Sequence, residues 1–381
     1  MPHLLDATMF WTASGGGVRR YLEAKHRFAA STRWRHTVAT PMLVGISSVR
    51  IPATLLPASG GYRLPWRRAA AARVLAEQAP DLIEAGDAYR LAWSVLDAGQ
   101  ALGIPALAFC HSNLPLLASS LLGERIGPRA ERAARRYACR LYRQFDLVLA
   151  PSATMCDHLV DWGVKRVLHQ PLGVDSAVFH PCRRDPEWRR RIDLPADARV
   201  LIYAGRFAPE KNLPVLTAAV RLLGPPYWLV AVGAGPTPPQ GDRVMVLAPE
   251  RRPEALATLV ASADAFVHAG DQETFGLSAL EALACGTPVV ARAAEGLAEL
   301  VDERVGIAVG RTQPEDFAEA IAAVFDAVDR ERFAKAARAR GEAHDWQQTL
   351  PRLWRQYDRL LNRYAAAERL PPSSTRPAEA R

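Results

Sequence analysis

The sequence predicts an α/β protein with two doubly wound, Rossmann-like domains that face each other across a cleft. The chain has 381 residues, 49% of them hydrophobic, which is enough for two domains with separate cores. Short apolar runs alternate with longer helical patterns, as in parallel sheets built from β–α units. This alternation stops near residue 175 and starts again at Val200, so we expect two such sheets.

Strands are predicted where apolar residues run together between turn-forming residues, at 104–109, 146–150, 200–204, 227–232, 265–268 and 287–291. The turn Gly173-Val174-Asp175 and the charged run 183–191 mark the boundary between the domains. The predicted organisation is a first domain over 1–175, a second over 176–345, a helical segment over 346–370 that returns to the first domain, and a disordered tail over 371–381, rich in Pro, Ser and Arg.

Composition excludes several classes of protein. No apolar run reaches the roughly 18 to 20 residues that a membrane-spanning helix needs. The N-terminus lacks a basic stretch followed by an apolar run, so we expect no secretory signal and a cytoplasmic location. The positive charge of the first half favours a peripheral position at the inner face of the membrane. The five cysteines include no Cys-x-x-Cys pair, which argues against a disulfide framework or a zinc site.

The net charge of +8 is concentrated in the first half of the chain. Residues 1–180 carry 21 Lys and Arg against 13 Asp and Glu, whereas residues 181–381 carry 27 of each. Several arginines recur at helical spacing, namely Arg125, Arg129, Arg132, Arg135, Arg136, Arg140 and Arg143. Such a stripe attracts an anionic membrane or an acidic acceptor, and the alternative is a solvated basic helix face. No aromatic interleaving accompanies the stripe, so we expect no nucleic-acid partner.

Two glutamates, Glu273 and Glu281, stand eight residues apart with Gly276 between them. If a helix begins after Gly276, Glu273 precedes its N-terminus and Glu281 lies along its inner side. Unpaired N–H groups at a helix start favour an anion such as a diphosphate, and each carboxylate accepts hydroxyl hydrogen bonds from a sugar or a ribose. The alternative is a capped amphipathic helix with two solvated acids.

Two further segments contain phosphate-binding residue types. Consecutive glycines at Gly15, Gly16 and Gly17 allow backbone N–H groups to approach a phosphate or a sugar closely. The alternative is a flexible turn, which is the more frequent role of such a triplet. After the strand at 200–204, Gly205 and Arg206 are followed by Lys211, so both cations can reach one diphosphate. The sequence lacks an Asp-x-Asp motif, and we therefore expect no catalytic metal. The alternative is a pair of exposed charges at a strand end.

A histidine follows the first strong strand of the chain. His111 comes after the apolar run 104–108 and is expected on the cleft side of the first domain, where an imidazole can contact a sugar hydroxyl. No other ligand-forming residue is spaced to join it at a metal. The alternative is a structural histidine.

Taken in order, these segments resemble the retaining nucleotide-sugar transferases of glycosyltransferase family 4, which have the GT-B arrangement of two Rossmann-like domains. The resemblance covers most of residues 12–310, and the family commonly has Asn at the position of Leu172. It implies that Arg206 and Lys211 bind the donor diphosphate, Glu273 the transferred sugar and Glu281 the ribose. It also implies that the donor is bound by Gly15, Gly16, Gly17, Gly205 and the backbone of Phe275, Gly276 and Leu277. The catalytic residues that it implies are Arg206, Lys211 and Glu273, together with His111 on the opposite domain.

The activity implied by this resemblance is transfer of a hexose, mannose or glucose, from a nucleoside diphosphate sugar to an acceptor hydroxyl with retention of configuration. The acceptor is a glycan, a lipid or a small molecule, as in glycolipid or cell-surface polysaccharide synthesis, and no cofactor is needed. Two alternatives remain open. One is another enzyme on a similar scaffold, such as a nucleotide-sugar epimerase or a glycoside phosphorylase, and the other is a non-catalytic protein that binds anionic surfaces.

Overall fold

The computed structural model of the protein describes residues 1–11, 16–42, 44–55, 63–326 and 330–368. Gly15 and the tail predicted over 371–381 lie outside the described residues. Within these ranges no helix is both long enough and apolar enough to cross a bilayer.

The first half of the chain forms a parallel sheet with helices between its strands. Its strands are β1 (His3–Ala7), β2 (Arg35–Thr40), β3 (Ser48–Arg50), β4 (Thr54–Leu55), β5 (Arg63–Leu64), β6 (Leu82–Ala85), β7 (Ala106–Phe109), β8 (Leu147–Ala150) and β9 (Val167–His169). Its helices are α1 (Gly17–Ala29), α2 (Arg68–Ala76), α3 (Arg90–Leu102), α4 (Leu114–Tyr142) and α5 (Ala153–Asp161). The sheet order is β3-β2-β1-β6-β7-β8-β9, and β4 pairs with β5 in a separate antiparallel ribbon.

The second half repeats this plan. Its strands are β10 (Arg199–Ala204), β11 (Tyr227–Val232), β12 (Val244–Leu247), β13 (Ala265–His268), β14 (Val289–Arg292) and β15 (Gly306–Val309). Its helices are α6 (Trp188–Arg191), α7 (Leu213–Leu223), α8 (Pro253–Ser262), α9 (Leu277–Ala284), α10 (Glu295–Leu300), α11 (Pro314–Asp326), α12 (Arg330–Ala343) and α13 (Trp346–Glu368). The parallel sheet order β12-β11-β10-β13-β14-β15 is that of a Rossmann fold.

All six predicted strands are confirmed, since each overlaps one of β7, β8, β10, β11, β13 and β14. The prediction at 287–291 began two residues too early. Thr287 instead bonds through its hydroxyl to Val260 O at 3.0 Å, and Pro288 has no N–H to donate to a strand ladder. The other strands of the first sheet escaped detection because several carry polar residues, including Asp6, His36 and Glu84.

The last helix, α13, packs on the first sheet although it follows the second one. Trp354 packs edge-on against Phe28 of α1 with ring centroids 4.8 Å apart. The hydroxyl of Tyr357 donates to Glu84 Oε2 at 2.6 Å, and that of Tyr364 donates to Asp146 Oδ2 at 2.7 Å. These contacts connect the C-terminal end of the described chain to the first half.

A cluster of charged residues is buried in the first half. Lys25 is fully buried, and its Nζ lies 2.8 Å from Asp6 Oδ2 and 3.0 Å from Glu84 Oε1. His36 Nε2 lies 2.6 Å from the same Asp6 oxygen. We call Lys25, Asp6, Glu84 and His36 the Lys25 cluster. It joins α1 to β1, β2 and β6, and through Tyr357 it also joins these elements to α13.

Burial and charge act differently on the two acids of the Lys25 cluster. Burial raises the pKa of Glu84 to about 7, even though Lys25 acts in the opposite direction. Burial would also raise the pKa of Asp6, but Lys25 and His36 outweigh it and lower this pKa to about 2. The Asp6 carboxylate is therefore the charged partner of Lys25 at neutral pH, and it loses this partner if the ammonium is removed.

We predict that Lys25→Met destabilises the protein by about 3–5 kcal/mol, because it leaves a buried carboxylate without a counter-charge. The free energy of unfolding from urea titration measures this effect. Lys335→Met is the matched control, because Lys335 pairs with Glu331 on the exposed surface of α12 and its loss should cost at most ~0.5 kcal/mol. Equal stability of the two variants would contradict a structural role for the cluster.

Candidate active site

Three of the predicted site residues, Arg206, Lys211 and Glu273, lie on loops at the carboxyl ends of the two central strands of the second sheet. The strand order of this sheet reverses between β10 and β13, which are hydrogen-bonded neighbours. Ligands of doubly wound sheets bind at the carboxyl ends of strands at such a reversal. Arg206 and Lys211 follow β10, and Glu273 follows β13, so the fold brings these three residues to the expected place.

The carboxylate of Glu273 contacts two side chains, the ammonium of Lys211 and the imidazole of His268. Lys211 Nζ donates to Glu273 Oε1, and His268 Nε2 lies 3.3 Å from the same oxygen. Burial would raise the pKa of Glu273, but Lys211 and His268 together hold it well below its ordinary value. The group is thus a carboxylate, available as a hydrogen-bond acceptor. Sequence reasoning missed His268, although it is the last residue of the strand predicted at 265–268.

Arg206 is the more exposed of the two cations. Its side chain is 63% exposed, and its Nη2 lies 3.0 Å from Glu210 Oε1. The backbone beneath it is fixed, since the buried hydroxyl of Tyr203 donates to Arg206 O at 2.8 Å and the Gly205 N–H donates to Val232 O at 3.0 Å. Arg206 therefore extends into solvent from a rigid loop, whereas the Lys211 side chain is only 13% exposed.

Helix α9 begins where the sequence predicts it, directly after Gly276. Gly276 has φ of +93°, which is in the left-handed region, and a Cβ at this position would lie 2.5 Å from Leu297 Cδ2. Phe275 is buried beside it. The first N–H groups of α9, starting at Leu277, precede the first full helical turn and therefore have no carbonyl partner within the helix. These N–H groups make the N-terminus of α9 suitable for binding an anion.

Glu281 lies on the buried side of α9, as predicted, and pairs with a residue of the first half. Arg20 Nη1, from α1, donates to Glu281 Oε1. Burial raises the pKa of Glu281, and Arg20 partly offsets this effect. Gly16 and Gly17 precede Arg20 at the start of α1, and Gly17 faces Leu277. Arg20 lies three residues after Gly17, but no local sequence pattern indicates its pairing with Glu281, which is 261 residues away.

His111 lies two residues beyond β7 and faces the same region from the first half. Its ring stacks on Phe109 with centroids 4.2 Å apart and packs edge-on against Tyr21 at 5.3 Å. Burial lowers its pKa to about 3, so the imidazole is neutral. His111 O accepts a hydrogen bond from Thr274 Oγ1 at 2.9 Å, which joins the His111 segment to the Glu273 segment.

A small pocket lies next to His111 at the carboxyl ends of strands of the first sheet, lined in part by Phe10, Asp87, Tyr89, Ser112 and Tyr142. Asp87 is buried and accepts hydrogen bonds from the backbone N–H groups of Met9 at 2.9 Å and Tyr89 at 3.0 Å. Burial raises the pKa of Asp87 to about 6, although these two bonds act in the opposite direction. Sequence reasoning did not identify this acid.

In the part of the chain that the structure describes, no three His, Cys, Asp or Glu side chains are grouped so that they could hold a metal ion. The acids of the cleft instead contact Lys211, Arg206 and Arg20. The arrangement can therefore place cations, a helix N-terminus and two carboxylates around a ligand that has both phosphates and hydroxyls.

Comparison with known proteins identifies the family. The profile of the family described as Glycosyltransferase Family 4 matches residues 15–178, and that described as Glycosyl transferases group 1 matches residues 184–340. A GDP-mannose-dependent alpha-(1-6)-phosphatidylinositol dimannoside mannosyltransferase of Mycobacterium tuberculosis is 32% identical over 328 residues, covering 82% of this chain and 81% of that protein. A D-inositol 3-phosphate glycosyltransferase of Geodermatophilus obscurus is 33% identical, covering 72% of this chain and 66% of that protein.

Solved structures show the fold. Sucrose-phosphate synthase from Thermosynechococcus elongatus aligns with a TM-score of 0.78 at 21% identity, covering 95% of this chain and all of that one. Anabaena HepE in complex with UDP and glucose aligns with a TM-score of 0.74 at 19% identity, covering 93% of this chain and 99% of that chain. The predicted family, fold and enzyme class are confirmed: the chain belongs to glycosyltransferase family 4, has the GT-B fold and is a hexosyltransferase that uses a nucleotide-sugar donor.

Proposed function

We propose that this enzyme transfers mannose from GDP-mannose, with retention of configuration and without a metal, to a hydroxyl of a polyol headgroup on an anionic membrane lipid. The observation that carries the donor site is the Lys211–Glu273 pair beside the N-terminus of α9. The choice of GDP-mannose is supported by the names of relatives, which include GDP-mannose-dependent mannosyltransferases of Mycobacterium tuberculosis and Mycolicibacterium smegmatis.

Donor binding would exchange the partners of the cleft residues. A diphosphate placed at the α9 N-terminus takes Lys211 as its counter-charge, and Arg206 extends from its rigid loop to the same group. Glu273 then loses Lys211 and accepts hydrogen bonds from hydroxyls of the mannose instead. Glu281 accepts from the ribose, and it shares or releases Arg20 to do so. The protein cations thus hold the carboxylates in place until the donor arrives.

The transfer step breaks the bond between the anomeric carbon and the phosphate oxygen, and the electron pair stays on that oxygen. The acceptor oxygen attacks the same face of the sugar, and the departing phosphate takes the acceptor's proton. Lys211 and Arg206 stabilise the negative charge that develops on the phosphate. His111, held neutral by burial, donates a hydrogen bond to a sugar hydroxyl, and no side chain acts as a covalent nucleophile.

The acceptor would enter beside His111. A small pocket lined by Asp87, Tyr89 and Ser112 lies at the carboxyl ends of the first sheet, opposite the donor loops. It has room for about one water molecule, so the polyol would lie at its mouth, beside Tyr89 and Ser112. Relatives named for phosphatidylinositol dimannoside and for inositol 3-phosphate support a polyol with a phosphate substituent.

Helix α4 supplies a surface for the lipid that carries this acceptor. The helix kinks at Gly123, and three large apolar side chains beside the kink are exposed, Leu121 by 70%, Leu122 by 53% and Ile126 by 55%. Exposed arginines flank them at Arg125, Arg129, Arg132 and Arg136. Ser120, just before the kink, bonds through its hydroxyl to Gln272 Oε1 at 3.4 Å, next to Glu273. An anionic bilayer at this surface therefore lies close to the cleft.

For the donor site, we predict that Lys211→Ala and Arg206→Ala each lower kcat/KM about 100-fold or more, as for loss of a strong electrostatic contact to a leaving group. The assay follows transfer from radiolabelled GDP-mannose to phosphatidylinositol in mixed micelles, with EDTA present. Lys335→Ala, an exposed lysine on α12, serves as the control and should change the rate less than twofold. Near-normal rates in folded Lys211→Ala would contradict the assignment, and isomerised donor without acceptor would favour an epimerase.

For the membrane surface, we predict that the triple variant Leu121→Ser, Leu122→Ser and Ile126→Ser binds anionic vesicles at least about tenfold more weakly, because it removes apolar area that inserts between lipids. Co-sedimentation with phosphatidylglycerol–phosphatidylcholine vesicles at low salt measures this. The control is Leu222→Ser, an apolar residue of α7 with similar exposure in the second half. Wild-type binding that is no stronger to anionic than to neutral vesicles would contradict the proposal.

A further inference from the structure

We infer that Glu295 is a positioning residue that holds the His111 segment in register with the Glu273 segment. Nothing in the sequence patterns singled out this residue, which is the first of α10. The inference rests on the proposed function, because it assumes that both segments contact the same donor. It follows from one unusual backbone conformation and from contacts on both sides of the cleft.

The backbone of Glu295 is in a conformation that side chains other than glycine rarely adopt. Its φ is +49°, in the left-handed region. A glutamate at such a position is retained against a local energetic cost, and residues of this kind concentrate at functional sites. The contacts of its side chain give a physical reason for its presence.

The carboxylate of Glu295 contacts two residues of the first half. Its Oε1 lies 3.0 Å from His158 Nε2 on α5, and its Oε2 accepts from Asn113 Nδ2 at 3.4 Å. Asn113 also caps α4, since its Oδ1 accepts from the Leu116 N–H at 3.2 Å. Because Asn113 is only two residues beyond His111, the carboxylate attaches α10 to the His111 segment.

The backbone next to Glu295 contacts the other side of the cleft. The Gly296 N–H donates to Glu273 O at 2.8 Å, and a Cβ at Gly296 would lie 2.5 Å from both Phe275 Cα and Thr274 O. Only glycine allows this approach. Since Thr274 also donates to His111 O, Glu295 and Thr274 provide two separate links between the His111 and Glu273 segments.

A second acid fixes the orientation of α10. One turn beyond Glu295, the Glu299 carboxylate accepts from the N–H groups of Ala153 at 2.9 Å and Thr154 at 2.7 Å, at the N-terminus of α5. This end of a helix favours negative charge. Helix α10 therefore attaches to α5 at both Glu295 and Glu299, so its first residues cannot rotate away from the cleft without breaking contacts to the first half.

Loss of the Glu295 carboxylate should alter the alignment of the two segments more than the affinity for nucleotide. The proposed diphosphate contacts, Lys211 and the N-terminus of α9, both belong to the second half and do not involve Glu295. His111 contacts the sugar from the first half, and a displacement of about 1 Å between reacting groups can lower a rate up to about 100-fold. We therefore expect a change in kcat with little change in GDP binding.

The test compares Glu295→Gly with wild type in kcat, in the Kd for GDP and in melting temperature. We expect kcat to fall about tenfold and the Kd for GDP to change less than twofold. The melting temperature should not decrease, because glycine adopts φ of +49° without strain. Glu295→Gln keeps a carbonyl oxygen that accepts from Asn113 Nδ2 and places an N–H group beside His158 Nε2. It should restore kcat to within about threefold of wild type. The control Asp193→Gly relieves the same backbone conformation at an exposed residue, with φ of +54°, and should leave kcat unchanged.

A double-mutant cycle with Asn113→Ser separates positioning from general destabilisation, because serine still caps α4 but is too short to contact Glu295. If the Glu295–Asn113 contact carries the effect, the double variant should be no slower than the slower single variant. Additive losses, or Glu295→Gly with kcat within twofold of wild type, would overturn the inference. If Lys211→Ala were also active, the proposed donor site itself would be wrong. If Lys211→Ala were inactive while Glu295→Gly was fully active, only the role of Glu295 would be wrong.

Discussion

Buried and partly buried carboxylates that are paired with cations from other elements are the interaction on which this structure depends. Asp6 pairs with Lys25, Glu273 with Lys211, and Glu281 with Arg20. A carboxylate removed from water without a counter-charge is strongly destabilising, so each pair fixes the relative position of the elements that contribute it. The first pair stabilises the first half, the second connects the loops that follow β10 and β13, and the third connects the two halves.

The same pairing explains how the cleft can accept a charged sugar nucleotide. In the proposed function, the phosphates of the ligand replace the carboxylates as partners of the cations, and the hydroxyls of the ligand become the partners of the carboxylates. Each charged side chain therefore exchanges its partner, and none is left unpaired. Groups already oriented toward the ligand need little reorganisation when it binds, which is the condition for strong electrostatic stabilisation of a leaving group. The neutral imidazole of His111 suits hydrogen bonding to a hydroxyl and adds no charge to this arrangement.

Much of the fold and part of the site could be predicted from the sequence, for physical reasons. Strands such as β11 and β13 are continuous apolar runs between turns, so they are visible locally. Strands β1 and β6 contain Asp6 and Glu84, whose burial makes sense only once Lys25 is known to lie between them. Similarly, the spacing around Gly276 indicated the start of α9, whereas the Arg20–Glu281 pair and the contacts of Glu295 with the first half depend on residues far apart in the chain.

The measurement that tests the central claim most directly is calorimetric titration of the purified enzyme with GDP, UDP and ADP, with EDTA present throughout. The proposed metal-independent site for GDP-mannose predicts that GDP binds in EDTA and binds more tightly than UDP or ADP. At about 100 times its Kd, GDP should also raise the free energy of unfolding by about 2.7 kcal/mol. Absence of nucleotide binding in EDTA, with binding restored by a divalent metal, would contradict the claim that protein cations neutralise the diphosphate.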